Sequence, residues 1–226
     1  MASHIPKELI PKLIEIRLED RKFIDPESEE FKSKLHRIIE EAPKTSNEVT
    51  MPKETMDLSF SLGIERLYRA KIEDNKPGSY GSDEINKRYM IYRQEVGAFA
   101  EIGFAAYCGV DFDPRIGTYR TIGDVAIICQ VRYTDGDNLI FRPGLDKEDD
   151  FFVLVTMRKE GDKTVAIIHG GAYGRDIIRL GKLDAPDPTR KPCYCLKKDQ
   201  LPCSPECCRK QLRDGTFGPV TILPLF

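Results

Sequence analysis

No run of this chain approaches the roughly 18–20 consecutive apolar residues of a membrane span. Met1 to Pro11 carries Lys7 and Glu8 where a secretory leader would need an apolar centre. Both absences predict a cytoplasmic chain with no membrane partner. A strong charge of one sign is missing as well: the formal net charge is −2, which excludes a protein that coats nucleic acid through a global basic field. It leaves room for a local basic channel beside an acidic metal site. No internal repeat is visible.

What is present suits a folded protein. The 226 residues are 40% hydrophobic and 32% charged, which excludes intrinsic disorder and allows one sizeable core. Seven cysteines in an intracellular chain are expected to be mostly reduced. Cys108 and Cys129 stand in apolar segments and read as packing residues. The other five fall between Cys193 and Cys208.

Hydrophobic periodicity divides the chain. Residues 1–82 read as a helical N-terminal region, with helices over 6–22, after Asp25-Pro26 (stripe Phe31, Leu35, Ile38, Ile39) and over Ser59–Lys71; residues 43–58 read as a polar connection. Residues 83–185 read as the core. There Ser82 is placed to cap a helix that ends at Gly109 and is small and apolar nearly all round from Gly97 to Tyr107, so it must pack on more than one side. Strands follow over Asp124–Arg132, Leu139–Arg142, Phe151–Met157 and Thr164–His169, with turn residues between them. Residues 186–226, rich in cysteine and proline, read as a tail outside the sheet. The fold class is α/β, a mixed central sheet flanked by helices.

Three features could carry chemistry. Glu101 is the one charge on its apolar helix stretch, Asp124 opens a hydrophobic strand, and Gln130 and Arg132 share a strand face. Burying that amide and guanidinium costs free energy unless they are paired. Glu95 is a second carboxylate on the same helix. An unbroken strand would put Asp124 and Gln130 roughly 20 Å apart. A shared metal therefore needs a bend, bulge or tight hairpin within Val125–Cys129, or a substitute carboxylate such as Asp111 or Asp113.

Gly97-x-x-x-Glu101, Gly123-Asp124-Val125 and Gln130-Val131-Arg132, continued by Leu139-Ile140-Phe141-Arg142-Pro143 and Phe152-Val153-Leu154-Val155, resemble the PD-(D/E)XK nucleases, above all their short phage-type members. The resemblance covers about residues 84–180. It implies a restriction-endonuclease-like fold and a Mg²⁺- or Mn²⁺-dependent nuclease that cuts DNA phosphodiester bonds. Asp124 would be the principal metal ligand, Gln130 a carbonyl ligand and Glu101 a second carboxylate, with Arg132 in the basic role. Two departures stand out. Gln130 replaces the family's usual Glu or Asp and so removes a negative charge from the metal. Arg132 replaces its usual Lys and, staying protonated, can stabilise charge but not accept a proton. The alternative is a catalytically inactive nuclease-fold domain that binds nucleic acid or a protein partner.

In the tail, Cys193, Cys195, Cys203, Cys207 and Cys208 are candidate ligands for a structural Zn²⁺, with an Fe–S cluster or unligated and disulfide-forming thiols as alternatives. The tail is net basic and could hold DNA against the core. His169 reads as a satisfied strand-end histidine, and the segment Gly170–Arg175 as a glycine-rich turn able to contact phosphate.

Overall fold

The computed structural model describes residues 21–74, 84–112, 114, 125, 129–185 and 192–215. The helix expected over 6–22 lies almost wholly outside them. The described elements are α1 (Glu29–Glu41), β1 (Glu48–Met51), α2 (Glu54–Asp74), α3 (Glu84–Cys108), β2 (Cys129–Tyr133), β3 (Asn138–Phe141), β4 (Phe151–Glu160), β5 (Lys163–Tyr173), α4 (Gly174–Leu180), β6 (Lys182–Asp184), β7 (Cys193–Lys197) and α5 (Pro205–Asp214). No helix among the described residues is long and apolar enough to cross a membrane.

The protein is mixed α/β with two sheets. In the larger, of order β1-β5-β4-β2, β1 and β4 each run antiparallel to β5, and β2 runs parallel to β4. The smaller sheet, of order β3-β7-β6, is antiparallel. Side-chain alternation along β4 splits the core. Phe151, Val153 and Val155 join α1, α3 and α5 on one face, while Phe152 and Leu154 pack with Leu139, Phe141, Ala172, Ile177 and Leu196 on the other. The second face is thus covered by the smaller sheet and α4.

Helix α1 buries the expected stripe, and the Ser28 side chain accepts the Phe31 N–H at its start. Helix α3 stops where foreseen: Gly109 takes a φ of +66°, and its N–H donates to the Ala105 carbonyl. A Cβ at Gly103 would come within 2.6 Å of the Ala166 side chain, so this glycine lets α3 approach β5 closely.

Three expectations are corrected. Residues 43–58 are not only connection, because β1 pairs along β5 and α2 begins at Glu54. The segment Gly170–Arg175 is not a free turn: β5 runs on to Tyr173 and α4 begins at Gly174. The tail contributes a strand, β7, whose antiparallel partners are β3 and β6.

Candidate functional site

Strand β2 is short and edge-placed, and its alternation sorts its side chains. Cys129 and Val131 enter the core beneath α3, whereas Gln130 and Arg132 register against Phe152 and Leu154 on the opposite face. Gln130 is buried. One Arg132 guanidinium nitrogen donates to Gln130 Oε1 at 3.3 Å and another to Asp146 Oδ1 at 2.9 Å. The guanidinium carbon lies 5.1 Å from the Phe152 ring centroid, within cation–π range. Asp146 is fixed in turn, since its Oδ2 accepts the Arg142 N–H at 2.8 Å across the turn that follows β3. Asp150, immediately before β4, has its carboxyl pushed above the usual range by burial and by Asp146, against the pull of Lys147 and Arg132.

The strand expected over Asp124–Arg132 is broken. Val125 and Cys129 exchange both backbone hydrogen bonds, each 3.1 Å, as an antiparallel pair. Val125 and Cys129 therefore face one another and do not lie along one unbroken strand. Asp124 and Asp113 lie outside the described residues. Asp111 is described and exposed, with His36 Nδ1 3.9 Å from its Oδ1.

Glu101 is placed elsewhere. It is buried on α3, and both its oxygens accept from the Arg66 guanidinium of α2, one at 2.8 Å. Glu95, six residues earlier on α3, is wholly buried with Arg21 Nε 3.3 Å from its Oε1. The structure thus brings Gln130 and Arg132 together and adds Asp146, while Glu101 belongs to the helix pair covering the other sheet face. Asp146 was missed at the level of sequence. The signal for it was indirect: a half-buried Arg132 requires an anion, and the turn after Arg142-Pro143 supplies one.

The five tail cysteines do not share one centre. Cys203 and Cys207 are joined as a disulfide while the other five cysteines are free thiols, and the Cys208 sulfur lies 3.7 Å from that of Cys203. Cys203 and Cys208 are buried in the main core, and Cys203 forms a β-bridge with Gly171. Burial drives the Cys208 thiol far above its ordinary pKa, and nearby Cys108 adds to this. The Cys108 thiol is itself pushed up to about 12 by burial, against Arg209, Arg213 and Lys44. Cys193 and Cys195 sit apart on β7, where Asp184 of β6 joins them: one ligand atom from each residue lies within 4.8 Å of the others. Burial first, then Cys193 and Asp184, raise the Cys195 thiol to about 11. His169 Nε2 and the Thr156 hydroxyl are 2.8 Å apart, and burial and Lys198 lower the imidazole pKa.

No family model, curated protein or solved structure matches this chain.

Proposed function

We propose that this protein is a Mg²⁺- or Mn²⁺-dependent nuclease of restriction-endonuclease-like fold that cuts DNA, with Asp124, Gln130 and Arg132 at its centre. The observation that carries the reading is the Val125–Cys129 antiparallel pair. A pairing of this kind supplies the bend that a metal shared by Asp124 and Gln130 would need, because along one unbroken strand the two would be roughly 20 Å apart. An Asp carboxylate and a Gln carbonyl are hard oxygen donors of the kind a small dication prefers. Bound there, the ion would polarise the scissile phosphate and acidify an attacking water.

The remaining work falls to the protein. Asp146 and Phe152 hold Arg132 in place, so its charge would be pre-positioned for a phosphate oxygen. Gln130 Oε1 accepts one hydrogen bond from Arg132 and keeps a second lone pair for another partner. Tyr89 and Tyr92 on α3 are exposed, and Arg93 stacks on Tyr89, an arrangement on which bases can stack. Glu101 is committed to Arg66, so the reading rests on Asp124 and Gln130.

A second reading, an inactive nuclease-fold domain that binds DNA or a protein partner, is favoured by one observation. Glu101 and Arg132 already have internal counter-charges in Arg66 and Asp146. The deciding experiment incubates the full chain with labelled single-stranded and duplex DNA and Mg²⁺ or Mn²⁺. Metal-dependent cutting that vanishes in Asp124→Asn supports the nuclease. DNA binding without cutting under any metal supports the second reading.

A further inference from the structure

We propose that Asp184, Cys193 and Cys195 form a zinc site that fastens β6 to β7, separate from Cys203, Cys207 and Cys208. The pattern begins in the strand register. Cys193 and Cys195 are two apart on β7 and so point to one face, and Asp184 is the antiparallel partner of Cys193. Neighbouring strands thus deliver three ligands to one spot with no loop rearrangement.

The distances fit the metal. The Cys193 and Cys195 sulfurs are 3.9 Å apart. Two thiolates at ~2.3 Å from a tetrahedral zinc would be separated by about 3.8 Å. A disulfide would need about 2.0 Å. Two soft sulfurs with one oxygen favour Zn²⁺ over Mg²⁺ or Ca²⁺, which take all-oxygen sets. Three protein ligands leave a fourth position for water or a donor brought by a partner.

The site also answers a need of the fold. β6 has three residues, all exposed, and pairs on one side only. Such a strand buries too little apolar surface to offset the cost of ordering it. A metal bridging Asp184 to Cys193 and Cys195 supplies that ordering free energy directly. Through β7 it also stiffens β3, whose ladder partner β7 is. None of this depends on the nuclease reading.

The test uses the full-length chain, reduced, stripped of metal and titrated with Co²⁺, then Zn²⁺. We expect about one tetrahedral Co²⁺ per chain, seen as a thiolate-to-cobalt charge-transfer band that Zn²⁺ abolishes. Cys193→Ser and Cys195→Ser should each weaken or remove the band while circular dichroism stays that of the parent. Asp184→Asn should keep thiolate absorption but bind on the order of tenfold more weakly. Cys207→Ser should leave the titration unchanged. The proposal is overturned if the folded, reduced parent gives no thiolate band. It is equally overturned if the band survives intact in both serine variants, or if Asp184→Asn binds as tightly as the parent.

Discussion

Arg66 and Glu101 meet across the α2–α3 interface through two parallel guanidinium–carboxylate hydrogen bonds, with the Glu101 carboxylate nearly excluded from water. A buried pair of this geometry is costly to break from one side only. Arg66→Met should destabilise the protein by about 3–5 kcal/mol, and the double variant Arg66→Met/Glu101→Met by far less than the sum of the two singles. Urea unfolding of the three variants checks this. Additive losses would show that the two side chains are not coupled.

Gln130 offers a direct test of the metal centre. Gln130→Glu replaces a neutral oxygen by a charged one, which should tighten Mn²⁺ binding about tenfold, or ~1.4 kcal/mol. Calorimetry on the full chain measures it. An unchanged affinity would place Gln130 away from the ion.

Asp146 holds Arg132 through a charged hydrogen bond of 2.9 Å. Asp146→Asn keeps the shape and removes the charge, so a loss of about 1.5–3 kcal/mol is expected. If Arg132 also serves the phosphate, DNA cutting should fall in this variant at temperatures where it is fully folded. Full activity in the folded variant would separate Asp146 from the chemistry.

Gly170 has a φ of +123°, and a Cβ there would come within 2.2 Å of the Cys203 carbonyl oxygen. Gly170→Ala should therefore lever α5 and its preceding loop off β5. Limited proteolysis after Lys197 and Lys198 should accelerate several-fold, with the midpoint of thermal unfolding lowered. A variant as resistant as the parent would show that this contact does not hold the tail.

Cys108 adds a pH dependence. Its folded pKa, pushed up to about 12 from an ordinary 9, keeps a proton on the native state that the unfolded chain releases first. Its contribution to stability is complete below pH 9 and is lost as pH rises towards 12. Cys108→Ala should flatten the decline of stability over that window, as followed by denaturant midpoints at each pH. An identical slope would assign the decline to other groups.

Local periodicity made part of this molecule legible. The α1 stripe, the apolar α3 and the apolar runs of β4 and β5 all declare themselves within a few neighbouring residues. β1 did not, because Glu48 and Thr50 make half of it polar and its strand identity comes from pairing with β5. The candidate sites divide in the same way. Gln130 and Arg132 could be grouped by the two-residue repeat of a strand, as could Cys193 and Cys195. Asp146, Asp184 and Arg66 could not, since each reaches its partner through tertiary packing or strand register that no local pattern encodes.

The ladder between β3 and β7 joins segments far apart in the chain. Since translation runs from the N-terminus and domains fold as they emerge, β3 leaves the ribosome long before the strand that completes it. Until Leu196 arrives, Leu139 and Phe141 must wait with a bare strand edge beside them. A nascent chain paused before β7 is therefore a species for chaperones to guard, and a stop codon placed anywhere between β6 and β7 should yield an aggregating product rather than a shortened protein.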